Sequence, residues 1–369
     1  MKINYTFIIV PLILAINCFL RAQDEGSTNA VLPEVKIAGT QLQKIHSAID
    51  GQDYDLYINL PRNYNDTTKT FPVLYVLDGQ WDFPLVSALY GSQYYDGFVP
   101  AMVVVGITWS GANANYDSLR ARDFTPASIN NSPQYGNAPK FLQFIKNELI
   151  PFVESKYRVT KDRALVGSSF GGLFTLYTLF NETNLFDKYI LTSPALAFDN
   201  GIIYKYEQEY ADKNKDLPVR LYIGIGQYED VSILHKFEDK LKSRNYKNLN
   251  MKVEVIESTG HSGAKAYGFT KGLQYVYQKP SIKVDPEILK QYAGNYGMAP
   301  NFIIKVEIEG NHLIATEPGG TKITLYAESN ENFYAKGIYL LGHFIKDSAG
   351  KVTGIQVEQY AGSTFIKKL

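Results

Sequence analysis

The sequence is poor in cysteine, has no excess of charge of either sign and has no apolar run that spans a bilayer comfortably. Its 369 residues include one cysteine, Cys18, so a fold held together by internal disulfides is excluded. The 37 Lys and Arg balance 37 Asp and Glu, which argues against nucleic acid as a partner. We therefore expect stability to come from a buried core, for which a hydrophobic content of 45% is sufficient.

Residues 1–22 are typical of a secretory signal. A positive start at Lys2 precedes an apolar core at residues 7–16 and a small-residue cleavage site that ends at Ala22. This pattern predicts a secreted or periplasmic protein with no stable membrane insertion. A lipoprotein anchor at Cys18 is the alternative, although the residues before it are not the small ones that such an anchor requires.

Apolar runs that alternate with helical patterns predict an α/β fold with a mostly parallel sheet. Residues 31–65 alternate like an antiparallel hairpin with its turn at residues 49–52. Helical spacing is present in residues 138–157 and 231–246. Continuous apolar runs, as in strands buried on both faces, lie at Pro72–Gly79, Ala101–Ile107, Lys188–Pro194, Val219–Gly226 and Met251–Ser258.

The pattern changes near the C-terminus. Residues 281–291 read as a linker with a short helix, and short alternating strands with Gly and Asn turns follow from Tyr292. We therefore expect an α/β domain at residues 30–280 and a small all-β domain, a lipocalin-like barrel, at residues 292–369.

Residues 167–171, Gly-Ser-Ser-Phe-Gly, match the pattern G-x-S-x-G between a strand pattern and a helix pattern. In that context the motif is a nucleophile elbow, in which the flanking glycines permit a tight turn and the central serine is exposed for attack. The sequence therefore predicts Ser169 as a nucleophile. The alternative is a tight turn whose glycines serve packing alone.

A serine nucleophile requires a base and a group that orients the base, in the chain order Ser, acid, His. Glu229 and Asp230 follow the predicted strand at residues 219–226, and His261 lies in a glycine-flanked loop after the next strand. We expect His261 to be the base and Glu229 the orienting acid, with Asp230 as the alternative acid. The acid that does not orient His261 would be a helix N-cap or a surface charge.

An oxyanion formed during acyl transfer requires backbone N–H donors. The N–H of Phe170, directly after the nucleophile, is the first expected donor. The second is expected from Gln80, or from Gly79 as the alternative, after the early strand. An ordinary Asp-Gly turn at Asp78 is the competing interpretation.

Two arginines and several aromatic residues are candidates for contact with a substrate. Arg120 or Arg122 would hold an acidic or catecholic group, unless it is simply solvated. Aromatic residues expected on loops at the catalytic end of the sheet would line a pocket or pack beneath the loops; these are Trp81, Trp109, Tyr94 and Tyr95.

Over residues 35–279 the chain resembles the putative esterase (esterase D-like) family of α/β-hydrolases, which includes siderophore, feruloyl and acetyl-xylan esterases. The resemblance rests on PVLYVLDG, RARDFTP, KFLQFIKNELIPFVESKY, GSSFGGLF, LFDKYILTSPAL and GHSG. Relatives often have histidine at the position of Ser168, so the polarity behind the elbow is expected to differ here. The C-terminal YAGNYG and DSAGKVTGIQV are similar to a small β-domain appended to serine β-lactamase-like proteins.

The resemblance implies a serine esterase that cleaves a siderophore-, feruloyl- or acetyl-type ester through an acyl-enzyme. Its substrate would be a small-molecule or glycan-linked ester, and no metal or organic cofactor is expected. Two alternatives stay open: an acyltransferase of the same family, and a non-catalytic protein that binds a glycan or a siderophore on a hydrolase scaffold.

Overall fold

The computed structural model describes residues 36–129, 132–299 and 302–369. The predicted signal at residues 1–22 and the alternative anchor at Cys18 lie outside these ranges. The chain divides into Met1–Ala38 and Gly39–Leu369, and every element described below belongs to the second unit. No helix within the described ranges is long and apolar enough to cross a membrane.

A sheet of eight strands occupies the first part of this unit, in the order β1-β2-β4-β3-β5-β6-β7-β8. Strands β1, β2 and β4 pair antiparallel, and every other pairing in the sheet is parallel. The strands are β1 (Thr40–His46), β2 (Asp53–Asn59), β3 (Phe71–Val76), β4 (Val103–Trp109), β5 (Val159–Ser168), β6 (Lys188–Thr192), β7 (Arg220–Gly226) and β8 (Asn250–Ile256).

The central strands are buried because helices cover both faces of the sheet. All seven residues of β4 are buried, and six of the seven in β7, which explains why both read as continuous apolar runs in the sequence. The predicted hairpin is β1 and β2, with the Asp53 end of β2 paired to the His46 end of β1. The mostly parallel α/β sheet predicted from the sequence is confirmed.

The helices lie in two layers. One face of the sheet is covered by the helices at residues 79–95 and 264–276, and the other face is covered mainly by the helices between them. The helices of the sheet part are α1 (Gly79–Tyr95), α2 (Tyr116–Phe124), α3 (Ala138–Phe144), α4 (Ile150–Lys156), α5 (Phe170–Asn181), α6 (Phe198–Gly201), α7 (Ile203–Ala211), α8 (Val231–Arg244) and α9 (Ala264–Val276).

The helix expected at residues 138–157 is interrupted. A π-helical turn at Ile145–Leu149 joins α3 to α4, and Pro151 lies in the first turn of α4. Proline has no N–H with which to continue the ladder of hydrogen bonds, so a wider turn before it is a common solution.

The C-terminal strands close into an antiparallel barrel of eight strands, which confirms the predicted all-β barrel. Helix α10 (Pro286–Tyr292) precedes it, and Leu289 and Tyr292 of that helix belong to the barrel core. The strands are β9 (Gly294–Ala299), β10 (Phe302–Glu309), β11 (His312–Thr316), β12 (Lys322–Ala327), β13 (Asn332–Tyr334), β14 (Leu340–Lys346), β15 (Val352–Gln359) and β16 (Gly362–Lys368).

The barrel packs against the C-terminal end of α1. The ring of Tyr94 lies 4.9 Å from that of Tyr339 and 5.6 Å from that of Tyr360, measured between centroids. Just beyond the helix, a Cβ on Gly97 would lie 2.4 Å from the carbonyl oxygen of Ile338, and the φ of Gly97 is +75°. Only glycine permits this approach of the two backbones.

Two helical glycines are predicted to respond oppositely to alanine. Gly91 of α1 has no atom within 4 Å of a built Cβ, whereas the Cβ of an alanine at Gly272 of α9 would lie 2.3 Å from Cγ2 of buried Ile190. Gly91→Ala should raise the free energy of unfolding by up to about 1 kcal/mol, because alanine is the better helix former. Gly272→Ala should lower it by about 1–3 kcal/mol through overpacking.

Urea denaturation of the two variants beside the parent chain measures both effects. Stabilisation by both substitutions would contradict the close packing of α9 on β6.

Candidate active site

The candidate elbow joins β5 to α5. Ser169 has φ 57° and ψ −119°, a conformation that non-glycine residues rarely adopt. A Cβ on Gly167 would lie 2.4 Å from the carbonyl oxygen of Gly171, so no larger residue fits at that position. Strain held by its surroundings in this way is common at functional turns.

His261 and Glu229 are in direct contact. Nδ1 of His261 lies 2.6 Å from Oε2 of Glu229. The other carboxylate oxygen, Oε1, accepts hydrogen bonds from the hydroxyl of Ser193 at 2.6 Å and from the N–H of Gly226 at 2.8 Å. The carboxylate is therefore fixed by three partners that come from three different parts of the sheet edge.

The same hydrogen bonds determine the charge of Glu229. Burial opposes ionisation of this carboxyl, but the bonds from Ser193, His261 and Gly226 outweigh burial and hold its pKa below the usual value for glutamate. Glu229 is consequently ionised at neutral pH and can accept the hydrogen bond that holds the neighbouring imidazole in one tautomer.

Asp230 has a different place. It is the N-cap of α8, and its side chain accepts a hydrogen bond from the N–H of Ser232 at 3.1 Å. Of the two acids considered from the sequence, the structure brings Glu229 to His261 and places Asp230 at the start of a helix.

Hydrogen bonds link the elbow to the His261 loop across the carboxyl ends of the strands. The N–H of Ser169 donates to the carbonyl of Thr192 at the end of β6, and the N–H of Ser193 donates to that of Gly224 in β7. The hydroxyl of Ser193 also lies 3.5 Å from the carbonyl oxygen of His261. Ser169, Glu229 and His261 thus share one edge of the sheet, where the side chain of His261 is 51% exposed.

Two helix starts on this edge carry the residues expected to donate to an oxyanion. Phe170 is the first residue of α5, and Gly79 and Gln80 are the first two of α1. N–H groups in the first turn have no acceptor within their own helix. The expected oxyanion donors are therefore in first helical turns, where a backbone N–H has no partner within its own helix.

Arg120 connects the two helix starts. Its guanidinium donates to both carboxylate oxygens of Asp78 at 2.9 Å, and it lies 3.4 Å from the carbonyl of Ser168. Asp78, the N-cap position of α1, has φ 52° and is 1% exposed. The sequence suggested Arg120 as a substrate contact, whereas the structure engages it with a buried carboxylate between the turn and the elbow.

The family model described as "Putative esterase" matches residues 47–262. The chain belongs to this family. Membership supports carboxylic ester hydrolysis as its activity.

Three similar proteins illustrate the family. The chain is 28% identical to ferri-bacillibactin esterase BesA of Bacillus subtilis over 221 residues, which cover 55% of the chain and 74% of that protein. It is 28% identical over 189 residues to siderophore triacetylfusarinine C esterase of Aspergillus fumigatus, covering 48% and 65%. The crystal structure of BES protein from Bacillus cereus superposes with a TM-score of 0.60 at 25% identity, covering 66% and 97%.

In this esterase the other predicted substrate contacts are dispersed. Arg122 donates to both oxygens of Asp123, at 2.7 and 2.8 Å, and Asp123 is fully buried. Trp109 is the last residue of β4 rather than a loop residue; it is 2% exposed and its indole N–H donates to Asp123 at 2.6 Å. Of the two interpretations of Trp109, packing beneath the surface is the one observed.

Tyr95 lies far from the candidate site. It ends α1, 16 residues after Gly79, which corresponds to about 24 Å along a helix. Its ring instead contacts that of Tyr360 in the barrel, with centroids 5.0 Å apart. The expectation that Tyr94 and Tyr95 lie on a loop at the catalytic end is therefore wrong, because the segment after Gly79 is a helix that carries them away.

Trp81 remains near the candidate site. It follows Gln80 in the first turn of α1, is 45% exposed and lies edge-on to Tyr116 with centroids 6.2 Å apart. The guanidinium of Arg120 lies 5.7 Å from the Trp81 ring. An exposed aromatic surface is therefore present beside the expected oxyanion donors.

Two charged residues and one serine near this edge were missed in the sequence. Asp82 of α1 is 2% exposed and accepts a hydrogen bond at 2.8 Å from Lys265, four residues after His261. Ser193, which holds Glu229, has φ 46° directly after β6. A polar residue just after a buried strand was the available signal for Ser193, whereas no local pattern pairs Asp82 with Lys265.

Asp82 should make stability depend on pH. Burial raises its pKa to about 6, although the ion pair with Lys265 opposes that rise. A folded pKa above the unfolded value means that the contribution of Asp82 is complete below about pH 4 and is lost as the pH rises through 6. Asp82→Asn has no charge to bury. Its free energy of unfolding, relative to that of the parent chain, should therefore rise by about 2–3 kcal/mol as the pH increases from about 4 to 7.

Urea denaturation across that pH range measures the difference. Asp230→Asn is the control, because hydrogen bonds from Ser232 lower the pKa of exposed Asp230. If the free energy of unfolding changed with pH in the same way for the parent chain and Asp82→Asn, the raised pKa would be contradicted.

Proposed function

We propose that the protein is an exported serine hydrolase that cleaves carboxylic esters through an acyl-enzyme. The observation that carries the proposal is the 2.6 Å contact between Nδ1 of His261 and Oε2 of Glu229 on the same sheet edge as the strained Ser169. Export is supported by the signal-like residues 1–22, and the intact mass of the mature chain, beginning after Ala22, is its check.

The first step is attack by Ser169. Because Nδ1 of His261 is bound to Glu229, its Nε2 is the nitrogen left to accept the Ser169 proton. The hydroxyl oxygen then bonds to the ester carbonyl carbon, and Glu229 stabilises the imidazolium that forms. The negative oxygen of the tetrahedral intermediate is held by the N–H groups of Phe170 and Gln80, with Gly79 as the alternative to Gln80.

The second half of the reaction releases the products. His261 returns its proton to the leaving alcohol, which leaves the acyl group on Ser169. Water, deprotonated by His261, then attacks this acyl-enzyme, and the carboxylic acid is released as Ser169 regains its proton. The chain supplies the nucleophile, the base and the oxyanion donors, and water is the second substrate.

We further propose that the substrate is an ester of the siderophore type. One relative is named as a siderophore triacetylfusarinine C esterase and another as a ferri-bacillibactin esterase. The exposure of His261 and the aromatic surface of Trp81 suit a bulky substrate with aryl groups, since aromatic faces stack on one another. Feruloyl and acetyl esters belong in the same substrate panel as competitors.

Ser169→Ala should abolish both probe labelling and turnover. A fluorophosphonate reacts with an activated serine, so the purified mature protein should be labelled and the variant should not. Turnover of a short-chain aryl ester should fall by about 10⁴-fold or more, because nucleophile and base act as a unit. Ser168→Ala is the matched control, since the Ser168 hydroxyl is buried and has no hydrogen-bond partner among the described residues.

Loss of labelling in Ser169→Ala alone supports the proposal and directs work to the ester panel. Unchanged turnover in Ser169→Ala with its fold intact would refute it.

Glu229→Gln and Asp230→Asn should differ strongly in rate. An amide at position 229 cannot stabilise the imidazolium of His261, so kcat should fall by about 10³–10⁴-fold. An asparagine at position 230 still caps α8, so kcat should change little. Steady-state kinetics on one aryl ester compares the two, and an equal loss in both variants would contradict the assignment of Glu229.

A further inference from the structure

The barrel is filled at one end. There the ring of Tyr292 stacks on that of Phe344 with centroids 4.0 Å apart, and Phe333 lies edge-on to Phe344 at 5.4 Å. Tyr292 ends α10, which adds Leu289 to the same core. Aromatic side chains and a helix therefore close this end.

The other end is not filled. A cavity of about 220 Å³ lies inside the strands, lined mainly by aliphatic side chains. Its inward positions alternate along each strand, as in Ile355 and Val357 of β15, and include the small Ala315 of β11. An eight-stranded barrel is just wide enough to be filled by side chains or to hold one small ligand. The lining of this cavity holds the rings of Tyr296 and Phe302 but is otherwise mostly aliphatic, which leaves room for the second case.

Apart from the hydroxyl of Tyr296, which donates to the carbonyl of Tyr292, the polar side chains of the lining lie near the mouth. Glu317, Gln359 and Thr364 lie where β11 and β15 end and where β16 begins, which is one end of the antiparallel barrel. Within the described part of the chain, their side chains form no hydrogen bond or ion pair with another residue. They can accept a hydrogen bond from a molecule in the cavity, and the lining contains no cationic side chain.

We propose that this cavity binds a neutral small molecule with one apolar body, an aromatic ring or a short alkyl chain, that carries a hydroxyl group. The apolar body would occupy the aliphatic interior and the hydroxyl would face Glu317 and Gln359. A volume of about 220 Å³ exceeds the ~150 Å³ that accommodates benzene and is below the ~300 Å³ of drug-sized pockets. A carboxylate is disfavoured because it would face Glu317 without a cation to pair with.

The cavity is separate from the candidate active site. Gln359 at its mouth adjoins Tyr360, which contacts Tyr94 and Tyr95 at the C-terminal end of α1. Gly79, at the other end of that helix, is about 24 Å away from Tyr95. The proposal therefore does not depend on the reaction proposed for Ser169.

Titration with 1-octanol, 4-propylphenol and octanoate, followed by ligand-observed NMR on the full chain, tests the ligand class. The two hydroxyl compounds should bind, and octanoate should bind about tenfold more weakly or not at all. Equal affinity for octanoate and octanol would overturn the assignment of Glu317 and Gln359 as the groups that face the ligand hydroxyl. No binding of either hydroxyl compound would overturn the proposal.

Variants locate the binding. Val357→Phe places a ring in the cavity, whereas Gln356→Phe places the same ring on the outer face of the same strand. The first should weaken octanol binding by about tenfold or more and the second by less than about twofold. Ala315→Leu is a milder filling variant, for use if circular dichroism shows that Val357→Phe is unfolded. Equal binding by all of these variants would place the probe elsewhere and refute the proposal.

Charge at the mouth is tested by Glu317→Gln. This change removes the repulsion of a carboxylate, so the preference for octanol over octanoate should shrink towards unity. Glu309→Gln, at the filled end of β10, is the control and should leave the preference unchanged. An unchanged preference in Glu317→Gln would contradict the role given to Glu317.

Discussion

The ion pair of Asp78 and Arg120 is the interaction on which the candidate site depends. It joins the turn before α1, the elbow carbonyl of Ser168 and helix α2 within one buried contact. Removing one partner of a buried pair leaves an uncompensated charge, at a cost of about 3–5 kcal/mol. The relative position of the two helix starts that offer N–H groups is therefore maintained by a contact that is expensive to break.

On the other side of the elbow, the position of Glu229 also depends on a few hydrogen bonds. Its carboxylate is bound by Ser193 after β6, by the last residue of β7 and by His261 after β8, so its position is determined by the register of three parallel strands. Ser193 donates its backbone N–H to the carbonyl of Gly224 in β7 and its hydroxyl to Glu229. A shift of one residue in any of these pairings would separate the acid from His261.

The sequence predicted the strands and the site residues, which depend on the order of residues along the chain. It did not reveal the side-chain pairs that depend on the packing of helices on the sheet. Continuous apolar runs predicted the parallel strands, and the order of Ser169, Glu229 and His261 predicted which residues the structure places at one edge. The pairs Asp78–Arg120 and Asp82–Lys265 join residues 42 and 183 positions apart, and only the packing of helices on the sheet brings them together. Trp109 and Tyr95 were misplaced because β4 extends to residue 109 and α1 begins at residue 79.

Closure of the barrel also affects how copies of the chain can meet. A closed barrel has no unpaired strand, so its backbone cannot serve as a template for another chain, even though Phe302, Ile303 and Phe365 on its strands are exposed. In the described sheet only β1 and β8 have a free side, and β8 carries Lys252 and Glu254, which are paired at 3.1 Å. Within the described residues, strand-to-strand pairing between copies is thus confined to two edges of seven residues each.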